Sequence, residues 1–367
     1  VRDPRTRSLE RRYLDAAAGF GGDFFVLTNG EHDGERGVNR IVENAYGGAD
    51  TPRTAGRFLP GLAAGGVQLQ DRFGTISHPG VSTRETRFLS RMPERAGILL
   101  RKELGQARFG LPPSDIDRLV SACVLTNRLS PTINLNPLHA RLDGNPELYC
   151  RLQTAVAQFL QSELSLARAE RLDDSFFVHL APNLGRDEKG RERLRPARGC
   201  DAGTTDFQLM LHSAVKEAGV LVLLNRYYYH HYGVHPLGER FNAREAPADE
   251  DALLALAARH FDAERMPRIV GVGDTLTSDR NGSEFHRGGS DRGFLQLVQR
   301  LGSHFESANL TVFVDSSAGE VRRPGLGEPL AIDGRPNWSA LSGITDQQDP
   351  LRVNYLFPGG HGSYIDF

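Results

Sequence analysis

Arg268-Ile269-Val270-Gly271-Val272-Gly273-Asp274 is an apolar, β-branched run that stops on a carboxylate, and its reading decides the fold. Length and residue type predict a strand over residues 268–272. Open parallel α/β sheets present ligands at the carboxyl ends of their strands, so Asp274 stands where a hard divalent cation can sit. Mg²⁺ takes one or two carboxylates and completes its shell with water and phosphate oxygens. Gly271-Val-Gly-Asp274 also resembles a cofactor-binding turn, but no G-x-G-x-x-G spacing accompanies it.

Two other pieces belong with this one. Asp23-Phe-Phe-Val-Leu27 reads as a second short buried strand and is followed by Thr28-Asn29-Gly30. The Thr28 hydroxyl and the N–H groups beside Asn29 can face a phosphoryl oxygen. Taken alone, the triplet is a turn. Lys216 lies in a helical run with Val215, Ala218 and Val222 at its apolar positions. Its ammonium can neutralise a phosphate at the strand ends; the bland alternative is a solvated lysine paired with Glu217. Asp291 opens the helix-like segment 291–298, where the helix dipole favours an anion, either as a cap or as support for a metal. A hydroxyl, an ammonium and a carboxylate in this order describe a phosphoryl-transfer site.

Composition narrows the class. The 367-residue chain exceeds the usual single-domain size. Its 39% hydrophobic and 25% charged residues are ordinary for a soluble globular protein. A net charge of −2 provides no global field for nucleic acid or an anionic membrane. Cys123, Cys150 and Cys200 lack metal-type spacing, which argues against a disulfide framework or a structural zinc. Apolar stretches such as 220–224 are far short of the ~20 residues of a membrane span, and Arg2, Arg5 and Arg7 precede no secretion segment. A reduced, cytoplasmic setting follows.

The texture changes along the chain. Residues 1–82 read as a first α/β portion, with a helix starting near Arg36 or Gly37 and a hairpin through 62–74. Residues 83–199 are rich in helical patterns, including a long amphipathic run over 146–172, a strand at 176–179 and a polar turn over 183–190. Residues 200–367 alternate again: a helix over 205–227, a helix around 253–257, the strand 268–272, a helix over 294–301, and strands at 310–314 and 353–357. The expected fold is a doubly wound parallel α/β sheet with an inserted α+β cap at 83–199. Tyr227-Tyr-Tyr-His-His231 with His235 reads as a surface or packing cluster, and Asp115, Asp117, Asp249 and Asp251 as solvated charges.

With these residues in view, the chain resembles the glucosylglycerol-phosphate phosphatases of the haloacid-dehalogenase-like superfamily. The matching stretches include 25–32, 59–67, 175–179, 181–188, 203–208, 215–220, 287–292, 314–317 and 357–361. The resemblance implies a Rossmann-like core and release of phosphate from 2-O-(α-D-glucopyranosyl)glycerol 3-phosphate, with Mg²⁺ as cofactor. That reaction makes a compatible solute, downstream of a glucosylglycerol-phosphate synthase. It implies an aspartate nucleophile and a second aspartate acting as acid and base. It implies further that Thr28 and Asn29 bind phosphate, that Lys216 stabilises charge, and that Asp274 and Asp291 serve the metal. Glu31, His32, His179, Asn183, Arg186, Thr204, Thr205 and Asp206 lie in the matching stretches and suit sugar hydroxyls. The family's Asp-x-Asp-Gly segment is expected ahead of Val1, so the chain as given is expected not to turn over. A catalytically silent sugar-phosphate binder of the same fold is the alternative.

Overall fold

The computed structural model describes residues 8–34, 36–142, 145–317, 321, 323, 325–333 and 335–366. The protein is mixed α/β, with parallel and antiparallel sheets. Val270–Gly273, Leu310–Val314 and Tyr355–Phe357 form one parallel sheet in that order. Val26–Leu27 pairs in parallel with Gly61–Ala63, which continues antiparallel through Gln68–Gln70 and Ile76–Ser77. The hairpin expected over 62–74 is therefore two successive reversals. Gly74 sits in the second with φ of 81°, where a Cβ would also lie 2.7 Å from the Phe58 ring.

A third sheet is antiparallel, in the order Val124–Leu125, Thr132–Asn134, Asp206–Leu211, Phe176–Ala181. Its strand Asp206–Leu211 corrects the helix expected over 205–227. Phe207 through Leu211 are all buried, so the period-two alternation that marks a half-exposed strand is lost and the run resembles a buried helix. Ser213, at φ of 61°, breaks the run, and the helix begins only at Lys216 and continues to Tyr232. The polar segment 183–190 is likewise more than a turn: Asn183–Arg186 pairs with Glu192–Leu194.

The helix Pro146–Ala169 buries Leu152, Val156 and Leu160 against the antiparallel sheet, with the Asn145 side chain accepting the N–H of Leu148 at its start. A second core joins the helices Lys216–Tyr232, Glu250–His260 and Arg292–Phe305 to Phe313 of the parallel sheet. Lys216–Tyr232 packs on Val26–Leu27 and Gly61–Ala63 and also on Arg292–Phe305, which in turn lies on Val270–Gly273 and Leu310–Val314, so the two helices connect both parallel pieces. Asp249 caps Glu250–His260 through the N–H of Ala252, and Tyr228 is buried with its hydroxyl on the Asp262 carbonyl. No helix among the described residues is long and apolar enough to cross a membrane.

Close approach explains the glycine alternation of 270–273. A Cβ at Gly271 would lie 3.0 Å from Leu295, and one at Gly273 would lie 2.8 Å from Asp291. Both glycines let the helix Arg292–Phe305 lie tight on the strand, which disposes of the cofactor-turn reading. The opposite face carries Val270 and Val272, both exposed.

Glu31 and His32 have structural partners. The Glu31 carboxylate accepts the N–H groups of Arg128, Leu129 and Ser130 at 3.0, 2.6 and 2.8 Å, tying the loop after Thr28 to the antiparallel unit. The His32 N–H donates to Gln68, and its Nε2 lies 3.3 Å from the Gly61 carbonyl. Replacing Glu31 by Ala leaves three inward N–H groups unpaired and is expected to cost about 3 kcal/mol or more, measured as a fall in the urea midpoint. Burial pushes the His32 imidazole down to about 4, so it stays neutral in the folded state. The unfolded chain binds that proton near the ordinary value, and stability is expected to fall by about 3 kcal/mol as pH drops from 6.5 toward 4. Urea unfolding at stepped pH should show this slope, and His32→Gln should remove it.

Candidate active site

Asp291 is where the distant pieces meet. Its Oδ1 accepts the Lys216 ammonium, while its Oδ2 accepts the backbone N–H of Asp274 at 2.8 Å and of Thr275 at 2.9 Å. Lys216 is buried, its side chain passes over the Phe294 ring at 5.8 Å, and it pairs with Asp291 rather than with Glu217. Asp291 makes no side-chain bond to its own helix, so it does not serve as that helix's cap. It holds the Asp274 loop instead.

The Asp274 carboxylate is exposed beyond the strand end. Its oxygens accept the hydroxyls of Thr275, at 2.8 Å, and of Ser316. Surrounding protein pushes the carboxyl up, but the Ser316 hydroxyl, the Lys216 charge and the Thr275 hydroxyl outweigh this and hold it below the usual carboxylate range. Ser316 was not anticipated from the sequence. It lies two residues beyond the strand Leu310–Val314, and the same strand-end rule that selected Asp274 would have found it.

Asp291 lies 17 positions after Asp274, and the hairpin Thr277–Asn281 with Glu284–Gly288 fills most of the interval. Arg292 closes its base, donating to the carbonyls of Gly288 and Thr277, both at 3.1 Å, and to Asp349. Asn183 docks it against the strand Asn183–Arg186. The Asn183 carbonyl accepts the Thr277 hydroxyl at 2.6 Å, and its Oδ1 accepts the N–H groups of Gly185 and Gly289. Gly185 has φ of 76°, and a Cβ there would lie 2.2 Å from the Arg287 carbonyl, so this contact requires glycine.

A cavity of about 350 Å³ opens beside Lys216, lined also by Asn29, His179, Asn183, Arg186 and Glu217. The Asn29 amide donates to His179 Nε2 at 2.8 Å, which leaves the His179 proton on Nδ1, facing Glu192 at 3.0 Å. Glu192 also accepts the Leu180 N–H and the Asn183 amide, so the imidazole is held from both sides. Thr28 precedes Asn29 but is not itself among the residues that line this cavity. Its Oγ1 accepts the Gly30 N–H at 3.1 Å and keeps its own proton to donate. Its carbonyl accepts the N–H of Gly65, whose α-carbon abuts the Ala214 carbonyl two residues before Lys216. Larger clefts of about 630 and 770 Å³ are lined by other residues and do not reach Lys216; neither Asp274 nor Asp291 lines any of the three.

Of the eight residues that suited sugar hydroxyls, His179, Asn183 and Arg186 line the cavity. The others do not. Glu31 and His32 are held as described above. The Thr204 hydroxyl is fully buried between Pro182 and Arg195, the Thr205 hydroxyl faces the Ala181 carbonyl, and Asp206 accepts from Asn134. A polar residue in a strand or turn reads the same in sequence whether it meets a ligand or the backbone; only the buried partner distinguishes the two.

No cluster of three or more His, Cys, Asp or Glu side chains among the described residues is arranged to hold a metal ion. No solved structure matches the chain. The family described as glucosylglycerol-phosphate phosphatase matches over residues 1–367. The glucosylglycerol-phosphate phosphatase of Synechocystis sp. is 48% identical over 371 residues, spanning 100% of this chain and 87% of the relative. Whole-chain agreement of this kind establishes that the chain belongs to the glucosylglycerol-phosphate phosphatase family.

Proposed function

We propose that this protein hydrolyses glucosylglycerol phosphate to glucosylglycerol and inorganic phosphate, in a haloacid-dehalogenase-like arrangement of core and cap. The Lys216–Asp291–Asp274 cluster carries the reading, because it gathers an exposed carboxylate and a buried cation that lines a cavity of about 350 Å³. The antiparallel unit within 83–199, with the strand Asp206–Leu211, serves as the cap over that cavity. The substrate is supplied by a glucosylglycerol-phosphate synthase in the cytoplasm, a setting that accords with free Cys123, Cys150 and Cys200.

The roles follow from the hydrogen bonds. Thr28 donates its free hydroxyl proton to a phosphoryl oxygen. Lys216 places positive charge where the phosphoryl group gains negative charge, and Asp291 fixes that ammonium while holding the Asp274 loop by two N–H groups. Each Asp274 oxygen accepts one hydroxyl and retains a lone pair toward solvent, which fits Mg²⁺ completed by water and phosphate oxygens. Asp291 is already committed to three donors and does not suit direct ligation. Bound Mg²⁺ would neutralise phosphoryl oxygens. Asn29, held by His179, closes the cap strand Phe176–Ala181 onto the phosphate side.

Phosphate release from glucosylglycerol phosphate, assayed with Mg²⁺ and with EDTA, tests the reading. Lys216→Met and Asp274→Asn are each expected to lower kcat/KM by roughly 100-fold or more. Wild-type rates in both variants would sink the site assignment.

A further inference from the structure

Several charged groups line the cavity beside Lys216, and most are held by protein partners: Glu192 by His179, Asp249 by the Ala252 N–H, Glu250 by Arg300, Arg287 by Asp346 and Arg292 by Asp349. Glu217 follows Lys216 on the first turn of its helix, but while Lys216 turns to Asp291, Glu217 faces the cavity and the start of the helix Arg292–Phe305. There it occupies the space that a side chain at residue 293 would need: a Cβ on Gly293 would lie 1.6 Å from Glu217 Oε1. The carboxyl is partly buried, burial pushes it up, and among the described residues only its own backbone N–H donates to it. Arg186 and Lys216 are its attracting neighbours, and Glu192 opposes them.

A carboxylate is an anion with acceptor oxygens only, so it repels a phosphate and cannot bond to it. Sugar hydroxyls, however, donate. A recessed carboxylate without a side-chain donor gains most from a ligand that brings O–H groups, and its two oxygens suit two neighbouring hydroxyls. Arg186 is exposed at the same cavity and offers donors to the remaining hydroxyl oxygens.

We propose that Glu217 is a specificity-determining residue that accepts hydrogen bonds from the glycosyl hydroxyls of the phosphorylated glycoside. This rests on the phosphatase reading above and adds the group that distinguishes a glycosylated glycerol phosphate from a bare one. Gly293 is its structural counterpart, leaving room for the carboxylate at the wall of the cavity.

The test is equilibrium binding by calorimetry of inorganic phosphate, glycerol 3-phosphate and glucosylglycerol phosphate to the full chain, in EDTA to prevent turnover. The wild type is expected to prefer glucosylglycerol phosphate over glycerol 3-phosphate by roughly 10- to 100-fold, the range for a lost bond to a charged group. Glu217→Gln should reduce that ratio to within about threefold of unity. Gly293→Ala, which displaces the carboxylate without changing its chemistry, should do the same while inorganic phosphate still binds as in the wild type. Circular dichroism checks folding, and if one variant unfolds the other decides. A ratio unchanged in the folded variants overturns the proposal. A wild type that binds all three probes equally overturns it too, but leaves the phosphate site standing. A wild type that binds none overturns the phosphatase reading and this inference with it.

Discussion

The carboxylate of Asp291 is the constraint on which the site depends. It accepts one ammonium and two backbone N–H groups, and these three donors come from a helix start and from the end of a strand. A buried ammonium without a partner is costly, and a strand end with unpaired N–H groups does not hold one conformation. A single side chain satisfies both demands. Asp274 consequently leaves the sheet at a fixed angle, and Lys216 is immobilised before any ligand arrives.

Rigid surroundings keep that carboxylate in place. Gly271 and Gly273 let the helix that Asp291 precedes lie directly on the strand that delivers Asp274. Arg292, the next residue, clamps both ends of the intervening hairpin and reaches the buried Asp349. Asn183 joins the hairpin to the strand that contributes Arg186, and Glu192 carries the connection on to His179 and Asn29. A line of partly buried hydrogen bonds therefore runs from the parallel sheet that delivers Asp274 to Asn29, beyond the end of Val26–Leu27 in the mixed sheet. Those two sheets share no strand pairing among the described residues; the helices Lys216–Tyr232 and Arg292–Phe305 and this polar line join them.

Much of this was legible in the sequence, for reasons tied to particular residues. The strands ending at Leu27 and Gly273 announced themselves by β-branched content and by the polar residue that follows each. Long helices such as Pro146–Ala169 were readable from their apolar period and their proline start. The strand Asp206–Leu211 was not, because burial on both faces removes the alternation that identifies strands. Thr204, His32 and Glu31 differ again: their partners include main-chain groups 22 to 99 residues away, and chain order carries no trace of those. Ser316 and Glu192 show the converse, since each gains its place from a neighbour that only the folded chain supplies.

The hairpin between Asp274 and Asp291 has a consequence for how such sites are found. Its ends are pinned at the two acids, while its tip turns through Gly282 at φ of 62° with open space around it. The distance between the acids along the chain is thus set by the excursion, not by the chemistry, and loop closure changes little in cost as an excursion grows. Pattern searches that require a fixed interval between paired acids will pass over proteins built this way, whereas a search for one carboxylate bonded to the main chain of the other will recover them.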